Sequence, residues 1–522
     1  MAIRVACVGA GPGGLFFAAL LKQYLPEADV TVFERNAPTD AFGFGVVFSE
    51  ATLRKINEAD PVLRDGLRDF GSHWDAIEMR AKAETHTFAG NGMSAIHRKT
   101  LLKLLQDRAR EFGARLLFTT AVSPEDLNGY DLIVGSDGAH SRTRVGLGDL
   151  GHRVHVAATK YIWFGTTHIF DGLTNIHLRN EHGNFAVVGY PISPTLSTFV
   201  AETSEQTWRR AGLDSFDTGQ AYGPSDEISK RYLKNLFKDH IGGHDLVGNN
   251  SRWANFQTRS TDQWFAGNVV LLGDALHTAH FSVGSGTKMA MEDAVVLAQE
   301  VAKSPRDLPR ALAAYQNERQ PEIARIHAAA RPSLSWWEHF ELYYDTFDPL
   351  QFTFHYFSRQ LDVEQIRRRD PGFAAAAEAQ WQVRHGTSVP DTPLRIGSLH
   401  LPGRLVRLVS EGDAVHLTDL DGVVRVPVIG DPAATTPDAC FLVDAPDEEE
   451  GVENVVAALP EVDAVVIQGG NALTRLLVAD HVRLRQKRIA VVVDSATPAR
   501  AITLVLSGRA DAVAQPCTAN GR

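Results

Sequence analysis

The stretch IRVACVGAGPGG, residues 3–14, decides the fold of the first part of the chain. Its first half is β-branched and apolar, which is typical of a strand buried in a parallel sheet. The glycine-rich turn G-A-G-P-G-G follows at 9–14, and the run LFFAALLKQYL at 15–25 has helical spacing. A second apolar run, DVTVFER at 29–35, ends in an acid. These segments predict a strand, a turn, a helix and a second strand.

Each glycine of this turn has a physical reason in a nucleotide-binding unit. Gly9 permits the tight turn, Gly11 lets backbone amides approach a pyrophosphate, and Gly14 lets the helix pack on the strand. Glu34, about 20 residues beyond the last glycine, is placed to accept hydrogen bonds from ribose hydroxyls. For Arg35, stacking over an adenine and exposure to solvent both stay open. The unit predicts a dinucleotide site without separating NAD from FAD.

Two later segments repeat the pattern of an apolar strand that ends at an aspartate. YDLIVGSDGAHSRTR at 130–144 reaches Asp137, and NVVLLGDALHTAHFSVGSGTK at 268–288 reaches Asp274. Ligands sit at the carboxyl ends of strands in open α/β sheets, although an Asx-type turn cap is an alternative for Asp137. A helix is predicted to start near Ser285, and its first N–H groups are unpaired. Asp274 is placed to hold a chain of sugar-like hydroxyls.

Composition limits the class of protein. The chain has 522 residues, a formal net charge of −11 and 44% hydrophobic residues, which is enough for two or three domains. An acidic surface argues against a nucleic-acid partner. The three cysteines lie far apart and show neither metal-ligand spacing nor a disulfide framework, so we expect no metal and a reducing cytoplasmic location. We expect no signal peptide and, without an apolar run of ~18 residues, no membrane span.

Three motifs in fixed order resemble those of the single-component FAD-dependent aromatic hydroxylases of the para-hydroxybenzoate hydroxylase fold. They are G-A-G-P-G-G…E-R, D-G-x-x-S-x-x-R and G-D-A-x-H-x-x-x-x-x-x-G-x-G, spread over residues 1 to about 330. The resemblance implies an α/β fold with a Rossmann-like FAD domain and an antiparallel-sheet substrate domain. It implies FAD as cofactor, NADH or NADPH as transient reductant, and insertion of one oxygen of O2 into an aromatic ring through a C4a-hydroperoxyflavin.

The same resemblance assigns roles to individual residues. Asp274 matches the ligand of the FAD ribityl hydroxyls, and Asp137 with Gly138 matches a motif that touches FAD and serves NAD(P)H use. Arg98 matches an arginine that reaches the phosphate and ribityl region, with a surface arginine as the alternative. The full set of expected FAD-binding residues is Gly9, Gly11, Pro12, Gly13, Gly14, Glu34, Arg35, Arg98, Asp137, Gly138, Asp274, Gly284, Gly286 and Thr287.

The chain departs from the family where ring and substrate are expected to meet. The family usually has proline at 281 and asparagine at 288, and this chain has Phe281 and Lys288. His280 is our candidate catalytic base, because an imidazole with a pKa near 6.5 suits deprotonation of a phenol at neutral pH. A histidine that only caps a tight turn is the alternative, and His277 is expected to be structural. The expected substrate-pocket residues are Phe281, Phe44 and Val46, with core packing as the alternative for Phe44.

Other stretches narrow the expected substrate. FGFGVVFSEATL at 42–53 lacks the arginines of the hydroxybenzoate enzymes. GFGVVFSEATL, SAIHRKTLL, GYPISPTLSTFVAET and ARPSLSWWEHFE resemble hydroxylases that act on salicylyl-CoA and, less closely, enzymes of 2-aminobenzoyl-CoA and of tryptophan-derived aromatics. The resemblance therefore implies an aromatic acyl-CoA, with salicylyl-CoA 5-hydroxylation to gentisyl-CoA expected first. A non-catalytic FAD-binding protein is a remote alternative. The halogenase signature W-x-W-x-I-P is absent.

We expect a monooxygenase region at 1–390 and a small C-terminal α/β domain at 391–522. The first region divides into FAD-binding parts at about 1–150 and 266–330, a substrate sheet at about 151–265 and a helical segment at about 331–390. The end of the chain resembles the last strand–helix units of an old-yellow-enzyme barrel. A complete barrel takes about 250 residues, so we expect a degenerate fragment with a structural or dimerisation role, and a homodimer.

Overall fold

The computed structural model describes residues 2–50, 53–216, 223–434 and 436–518. They form two compact units. Unit 1 is Met1–Ala83 with Gly90–Glu338, and unit 2 is Glu84–Ala89 with His339–Arg522. In the described ranges, no helix combines the length and the apolar character that crossing a bilayer requires. The predicted mixed α/β class is confirmed.

A largely parallel sheet of unit 1 carries the predicted strand–turn–helix unit. The buried β-branched runs form its centre. The predicted helix is present, but α1 (Pro12–Tyr24) begins inside the glycine turn, three residues before the predicted run at 15–25. The strand order is β16-β17-β9-β1-β2-β8. The strands are β1 (Arg4–Val8), β2 (Asp29–Phe33), β8 (Arg115–Leu117), β9 (Leu132–Gly135), β16 (Phe265–Ala266) and β17 (Val269–Leu271). The carboxyl ends of β1, β9 and β17 therefore lie side by side, which places the three motifs at one edge.

A second, mostly antiparallel sheet of unit 1 has the order β14-β10-β13-β12-β11-β5, with β15 also paired to β10. Its strands are β5 (Ile77–Ala81), β10 (Arg153–Thr166), β11 (Leu173–Asn180), β12 (Gly183–Ser193), β13 (Leu196–Ser204), β14 (Leu246–Val247) and β15 (Ala254–Ser260). Side chains alternate between its faces. Ile162 and Phe164 enter an apolar core, so Tyr161 and Trp163 point to the other face.

The remaining elements of unit 1 surround these two sheets. A small sheet has the order β3-β7-β4, with β3 (Gly45–Ser49), β4 (Ser72–Trp74) and β7 (Met93–His97). The helices are α2 (Arg54–Ala59), α3 (Pro61–Phe70), α4 (Arg98–Glu111), α5 (Arg142–Gly146), α6 (Glu205–Arg210), α7 (Glu227–Leu236) and α8 (Gly286–Lys303). Helix α9 (Leu308–Thr346) begins in unit 1, and its residues from His339 onward belong to unit 2.

Unit 2 contains a closed barrel in the order β20-β21-β22-β23-β24-β25-β26. Its strands are β20 (Leu405–Glu411), β21 (Ala414–Thr418), β22 (Arg425–Ile429), β23 (Cys440–Ala445), β24 (Ala464–Gly469), β25 (Ile489–Val493) and β26 (Ala512–Thr518), with helices α13 (Val452–Ala457), α14 (Ala472–Asp480) and α15 (Pro498–Leu506) between the last four. Parallel pairing of β20 with β26 closes the barrel. The predicted small α/β domain is confirmed, and its closure was not foreseen.

The helical segment that was predicted with the monooxygenase region lies in unit 2. This segment contains α10 (Pro349–Phe357), α11 (Val363–Arg369) and α12 (Pro371–His385), and the unit also holds β6 (Glu84–Phe88), β18 (Leu394–Ile396) and β19 (Leu399–Leu401). The Val363 N–H donates to Thr503 Oγ1 over 2.7 Å, and Arg509 donates to Ser358 Oγ over 2.8 Å. The first bond joins α11 to α15, and the second joins the end of α10 to the turn after α15.

A buried ion network holds the turn between β17 and α8. Asp293 accepts hydrogen bonds from Arg319 Nε at 2.9 Å and from the Gly273 N–H at 3.1 Å, and its Oδ2 lies 2.8 Å from His277 Nε2. Asp293 and Arg319 are fully buried. Burial raises the pKa of Asp293, but the charges and hydrogen bonds of His277 and Arg319 outweigh it and lower the pKa to about 2.

Asp293→Asn is expected to lower the free energy of unfolding by about 3–5 kcal/mol, because the buried Arg319 loses its fully buried partner and keeps the ion pairs with Glu292 and Glu322. A lowered folded-state pKa stabilises the fold above the unfolded value near 3.9, and this stabilisation is lost as pH falls toward 2. Urea unfolding at pH 7 measures the difference. The exposed Asp307, whose carboxylate accepts only from the Arg310 N–H, provides the matched control Asp307→Asn. Equal stability of the two variants would contradict the assignment.

Candidate functional site

A cavity of about 660 Å³ in unit 1 is lined by residues of both large sheets. The structure brings many of the predicted site residues to its wall. Those that line it are Gly11, Pro12, Gly13, Val46, Arg98, Gly138, Asp274, Phe281, Gly284, Gly286 and Thr287. Predicted residues outside the lining are Gly9, Gly14, Glu34, Arg35, Phe44, Asp137 and His280.

The glycines of the first turn divide into two groups. A Cβ on Gly9, whose φ is +104°, would lie 2.5 Å from the Ser136 carbonyl oxygen, and one on Gly14 would lie 2.3 Å from the Gly9 oxygen. These two positions let the turn pack against the end of β9. Gly11 and Gly13 instead line the cavity at the start of α1, where the first backbone N–H groups have no partner within the helix.

Glu34 fixes the glycine turn from the end of β2. Its Oε2 accepts from the Ala10 N–H at 2.8 Å, and its Oε1 accepts from the Asn36 N–H at 2.8 Å. A carboxylate has about four lone-pair sites, so Glu34 can still accept hydrogen bonds from ribose hydroxyls. Arg35 is exposed, which is compatible with both of its alternatives.

Asp137 holds its own turn together, as the alternative reading of this residue predicted. Its carboxylate accepts from the Ser141 hydroxyl and, at 3.1 Å, from the Thr143 N–H. Arg144 donates to the Ala275 carbonyl at 2.7 Å and so links the D-G-x-x-S-x-x-R motif to the G-D-A motif. The spacing of the second motif thus places Arg144 where it connects two turns that line the cavity.

Asp274 and Arg98 bring opposite charges to one cavity without an ion pair between them. Within the described ranges, neither side chain has a salt-bridge partner. Burial raises the pKa of the Asp274 carboxyl, while the charges of Arg98, His277 and Arg259 act in the opposite direction. Burial lowers the pKa of Arg98, and Asp274 partly offsets this. A carboxylate beside guanidinium groups suits a ligand that carries hydroxyls and phosphate together.

The N-terminus of α8 opens on the same cavity. Gly284 has a φ of +61°, and a Cβ built on Gly286 would meet no atom within 4 Å. The N-cap residue Ser285 makes no side-chain capping bond. The 18-residue helix therefore presents free N–H groups and the positive end of its dipole to the cavity. The departure Lys288 is ion-paired with Glu292 at 3.0 Å.

Part of the cavity wall is aromatic. Phe281 lies with its ring centroid 5.2 Å from Tyr161 and 5.7 Å from Phe256, and Trp163 and Tyr190 complete the wall. The sequence analysis did not single out Tyr161, Phe256 or Arg259. The alternation in KYIWFG was a usable signal, because residues 161 and 163 share one face of a strand.

The predicted pocket residue Phe44 and the candidate base His280 do not line the cavity. Phe44 is buried and packs with Ala95, Tyr190 and Ile192, as its core-packing alternative predicted. His280 is 1% exposed, and its ring centroid lies 4.2 Å from that of Phe281. Its Nδ1 lies 2.8 Å from Ser282 Oγ. His280 therefore lies next to the aromatic wall without forming part of the cavity lining.

Comparison with known proteins places this site in a family. The model of the FAD binding domain matches residues 2–330. Salicyloyl-CoA 5-hydroxylase of a Streptomyces species is 50% identical over 519 residues, 98% of this chain and 99% of that protein. The chain belongs to the FAD-dependent aromatic monooxygenases.

More distant relatives match less of the chain. Protodeoxyviolaceinate monooxygenase of Chromobacterium violaceum is 30% identical over 351 residues, 64% of this chain and 89% of that protein. A solved variant of 2-methyl-3-hydroxypyridine-5-carboxylic acid oxygenase has a TM-score of 0.53 at 21% identity, covering 67% of this chain and 98% of its own. This last likeness shows the fold alone.

The cavity fits the FAD of such a monooxygenase. Two helix N-termini, a guanidinium and a carboxylate face it, which matches a diphosphate, a hydroxyl chain and an electron-accepting ring. The bare backbone at Gly286 leaves room for a flat ring against the helix end.

Gly286→Ala is expected to leave the fold intact and to weaken FAD binding by roughly tenfold to hundredfold, corresponding to about 1–3 kcal/mol of overpacking. The added methyl group would project into the cavity without touching protein. Flavin fluorescence quenching measures the dissociation constant. Gly430→Ala is the matched control, since its Cβ also meets nothing within 4 Å but lies in unit 2. Equal FAD affinity in both variants would show that the ring does not lie at Gly286.

Proposed function

We propose that this monooxygenase hydroxylates the ring of an aromatic acyl-CoA, and that salicylyl-CoA is converted to gentisyl-CoA by 5-hydroxylation. The observation that carries the proposal is the 50% identity to salicyloyl-CoA 5-hydroxylase over 98% of this chain. That match includes the barrel of unit 2, whereas the FAD binding domain ends at residue 330. The shared features therefore extend well beyond the part common to the whole family.

The proposed FAD site follows the geometry of the cavity. The first turn of α1 and Arg98 hold the diphosphate, and Asp274 accepts the hydroxyls of the ribityl chain. Gly284, Gly286 and Thr287 carry the α8 N-terminus against the ring. Four residues act around them: Glu34 takes the adenosine ribose, Asp137 and Gly138 shape the neighbouring turn, and Arg35 lies at the adenine end.

Bound FAD, reduced by the family's usual NAD(P)H, supplies an activated oxygen atom from O2 to the substrate ring. The positive end of the α8 dipole would stabilise negative charge on the cofactor ring. The wall of Tyr161, Trp163 and Phe281 orients the flat substrate and excludes water. A phenol attacks more readily after it loses its proton, so the site needs a proton acceptor. His280 is our candidate, and it acts through a group that lines the cavity.

We further propose that unit 2 is a degenerate old-yellow-enzyme barrel with a structural or dimerisation role. The repeated order strand, helix, strand from β23 to β26 supports this. Side chains fill the barrel interior, with Ala464, Val466 and Val491 completely buried. The domain boundaries, the homodimer and the cytoplasmic location stay predictions of the sequence.

Oxygen uptake by the FAD-loaded protein with NADH is expected to rise at least tenfold on addition of salicylyl-CoA and to stay near its basal rate with free salicylate. We expect this difference because the relative that matches almost the whole chain is named as a hydroxylase of the CoA thioester. An oxygen electrode measures both rates, and NADPH is tested in parallel.

Stimulation by free salicylate alone would contradict the acyl-CoA proposal. Stimulation by neither compound would also contradict it, and 2-aminobenzoyl-CoA and tryptophan-derived aromatics would then be tested. The 30% identity to protodeoxyviolaceinate monooxygenase makes the last group the relevant comparison.

A further inference from the structure

Lys288, one of the two departures from the family pattern, has no role in the site described so far. It lies two residues after Gly286 in α8, and its side chain is 14% exposed. Its Nζ lies 3.0 Å from Oε1 of Glu292, whose side chain is 8% exposed. A buried ion pair contributes little net stability, because both partners lose their hydration. The presence of this pair therefore calls for another explanation.

The geometry of α8 places the pair behind the wall of the cavity. Gly286 and Ala290 line the cavity, and residues four apart lie on one face of a helix. Lys288 follows Gly286 by two residues, which is about 200° around the helix and about 3 Å along its axis. Lys288 and Glu292 are also four residues apart and share the opposite face. The pair is therefore separated from the cavity by roughly the diameter of one helix, about 10 Å.

The pair belongs to a longer charge network of unit 1. Glu292 Oε2 lies 3.3 Å from Arg319 Nη2 on α9. Arg319 also forms ion pairs with Asp293 and Glu322, and Glu322 lies 2.9 Å from Lys55 Nζ on α2. With the Lys288 ammonium included, the network in the described ranges contains three carboxylates and three lysine or arginine cations. Its formal charges therefore balance.

Lys288 supplies the cation that balances Glu292. Arg319 is completely buried and is shared among three carboxylates. Burial acts to lower the pKa of Arg319, but the charges of Asp293 and Glu292 outweigh it and raise this pKa, so Arg319 stays charged. Without the Lys288 ammonium, three carboxylates would face two cations. The network would then place a net negative charge behind the α8 N-terminus.

The charges of this network act on groups inside the cavity. Burial raises the pKa of the cavity-lining Asp274 carboxyl, and the negative charge of Asp293 adds to this effect. Charges in a protein interior interact over longer distances than charges in water, because the effective dielectric constant is lower and salt screens them less. A net negative network would therefore weaken the binding of a ligand that gains negative charge at the α8 N-terminus.

We propose that Lys288 raises the reduction potential of the bound FAD, because its charge cancels that of Glu292 behind the α8 N-terminus. A hydride from NADH brings two electrons and one proton, so the FAD ring gains one negative charge and NAD+ is released. The positive end of α8 stabilises this charge, and an uncompensated Glu292 would oppose it. Lys288 does not line the cavity, so it is a positioning residue that acts through Glu292.

Lys288→Met tests the proposal, because it removes the charge and keeps most of the side-chain length. We expect the variant to bind reduced FAD about tenfold less tightly relative to oxidised FAD, which lowers the two-electron potential by about 30 mV. The dissociation constant of oxidised FAD should change less than about threefold. Anaerobic equilibration of the FAD-loaded protein with a redox dye of known potential, at pH 8, measures the shift.

Two further variants distinguish a charge effect from a packing defect. Glu292→Gln leaves one excess positive charge in the network, so the potential should rise by a similar amount. The double variant Lys288→Met/Glu292→Gln restores the balance of charges, and its potential should return close to that of the unaltered protein. A packing defect would instead shift both single variants in the same direction and add up in the double variant.

Lys303→Met is the matched control. Lys303 pairs with Glu300 on the same helix, but it is exposed and lies about 25 Å from Gly286 along the axis, so its removal should leave the potential unchanged. An unchanged potential in Lys288→Met, a fall in Glu292→Gln or an equal shift in Lys303→Met would overturn the proposal.

Glu292→Gln decides alone if Lys288→Met does not retain FAD. A rise of its potential then supports the proposal, and a fall or an unchanged value overturns it. Because no aromatic substrate enters these measurements, their result is independent of whether salicylyl-CoA is turned over.

Discussion

The position of the turn between β17 and α8 depends on one buried carboxylate, that of Asp293. It binds the Gly273 N–H, His277 and Arg319 at once, and none of these groups is free to move without breaking a charge-assisted bond. The turn carries Asp274 on one side and leads into the α8 N-terminus on the other. The parts of the proposed cofactor site for the ribityl chain and the ring are therefore positioned by a side chain that does not line the cavity.

A second link joins this turn to the parallel sheet. Arg144 donates to the Ala275 carbonyl, and Asp137 holds the loop from which Arg144 emerges. Asp137 and Arg144 thus keep two strand ends in register around the ligand. Asp137 and Arg144 therefore stabilise the turns around the cavity. Backbone amides and the side chains of Arg98 and Asp274 face the cavity itself.

The local features of the site could be predicted from the sequence because they depend on neighbours in the chain. The strand, the glycine turn and the helix at 3–24 are each predicted by residues that lie close together in the sequence. Arg259 could not be assigned to the site, because its position depends on pairing between strands far apart in sequence.

Other differences between the predictions from the sequence and the structure also arise from contacts that local patterns do not show. The orientation of His280 depends on contacts with Phe256 and Ser282, and the spacing of the motif carries no information about it. Closure of the unit 2 barrel depends on β20 pairing with β26, whose register joins Leu405 to Val513. Composition and local periodicity indicate strands and helices there, but they do not indicate which strands meet.

The central claim is that this chain inserts an oxygen atom of O2 into the ring of an acyl-CoA. Turnover of salicylyl-CoA under isotopically labelled O2, followed by mass spectrometry of the intact thioester, tests it most directly. The account predicts gentisyl-CoA with one labelled oxygen atom in its acyl part. NADH oxidation that yields only hydrogen peroxide and unchanged salicylyl-CoA would contradict it.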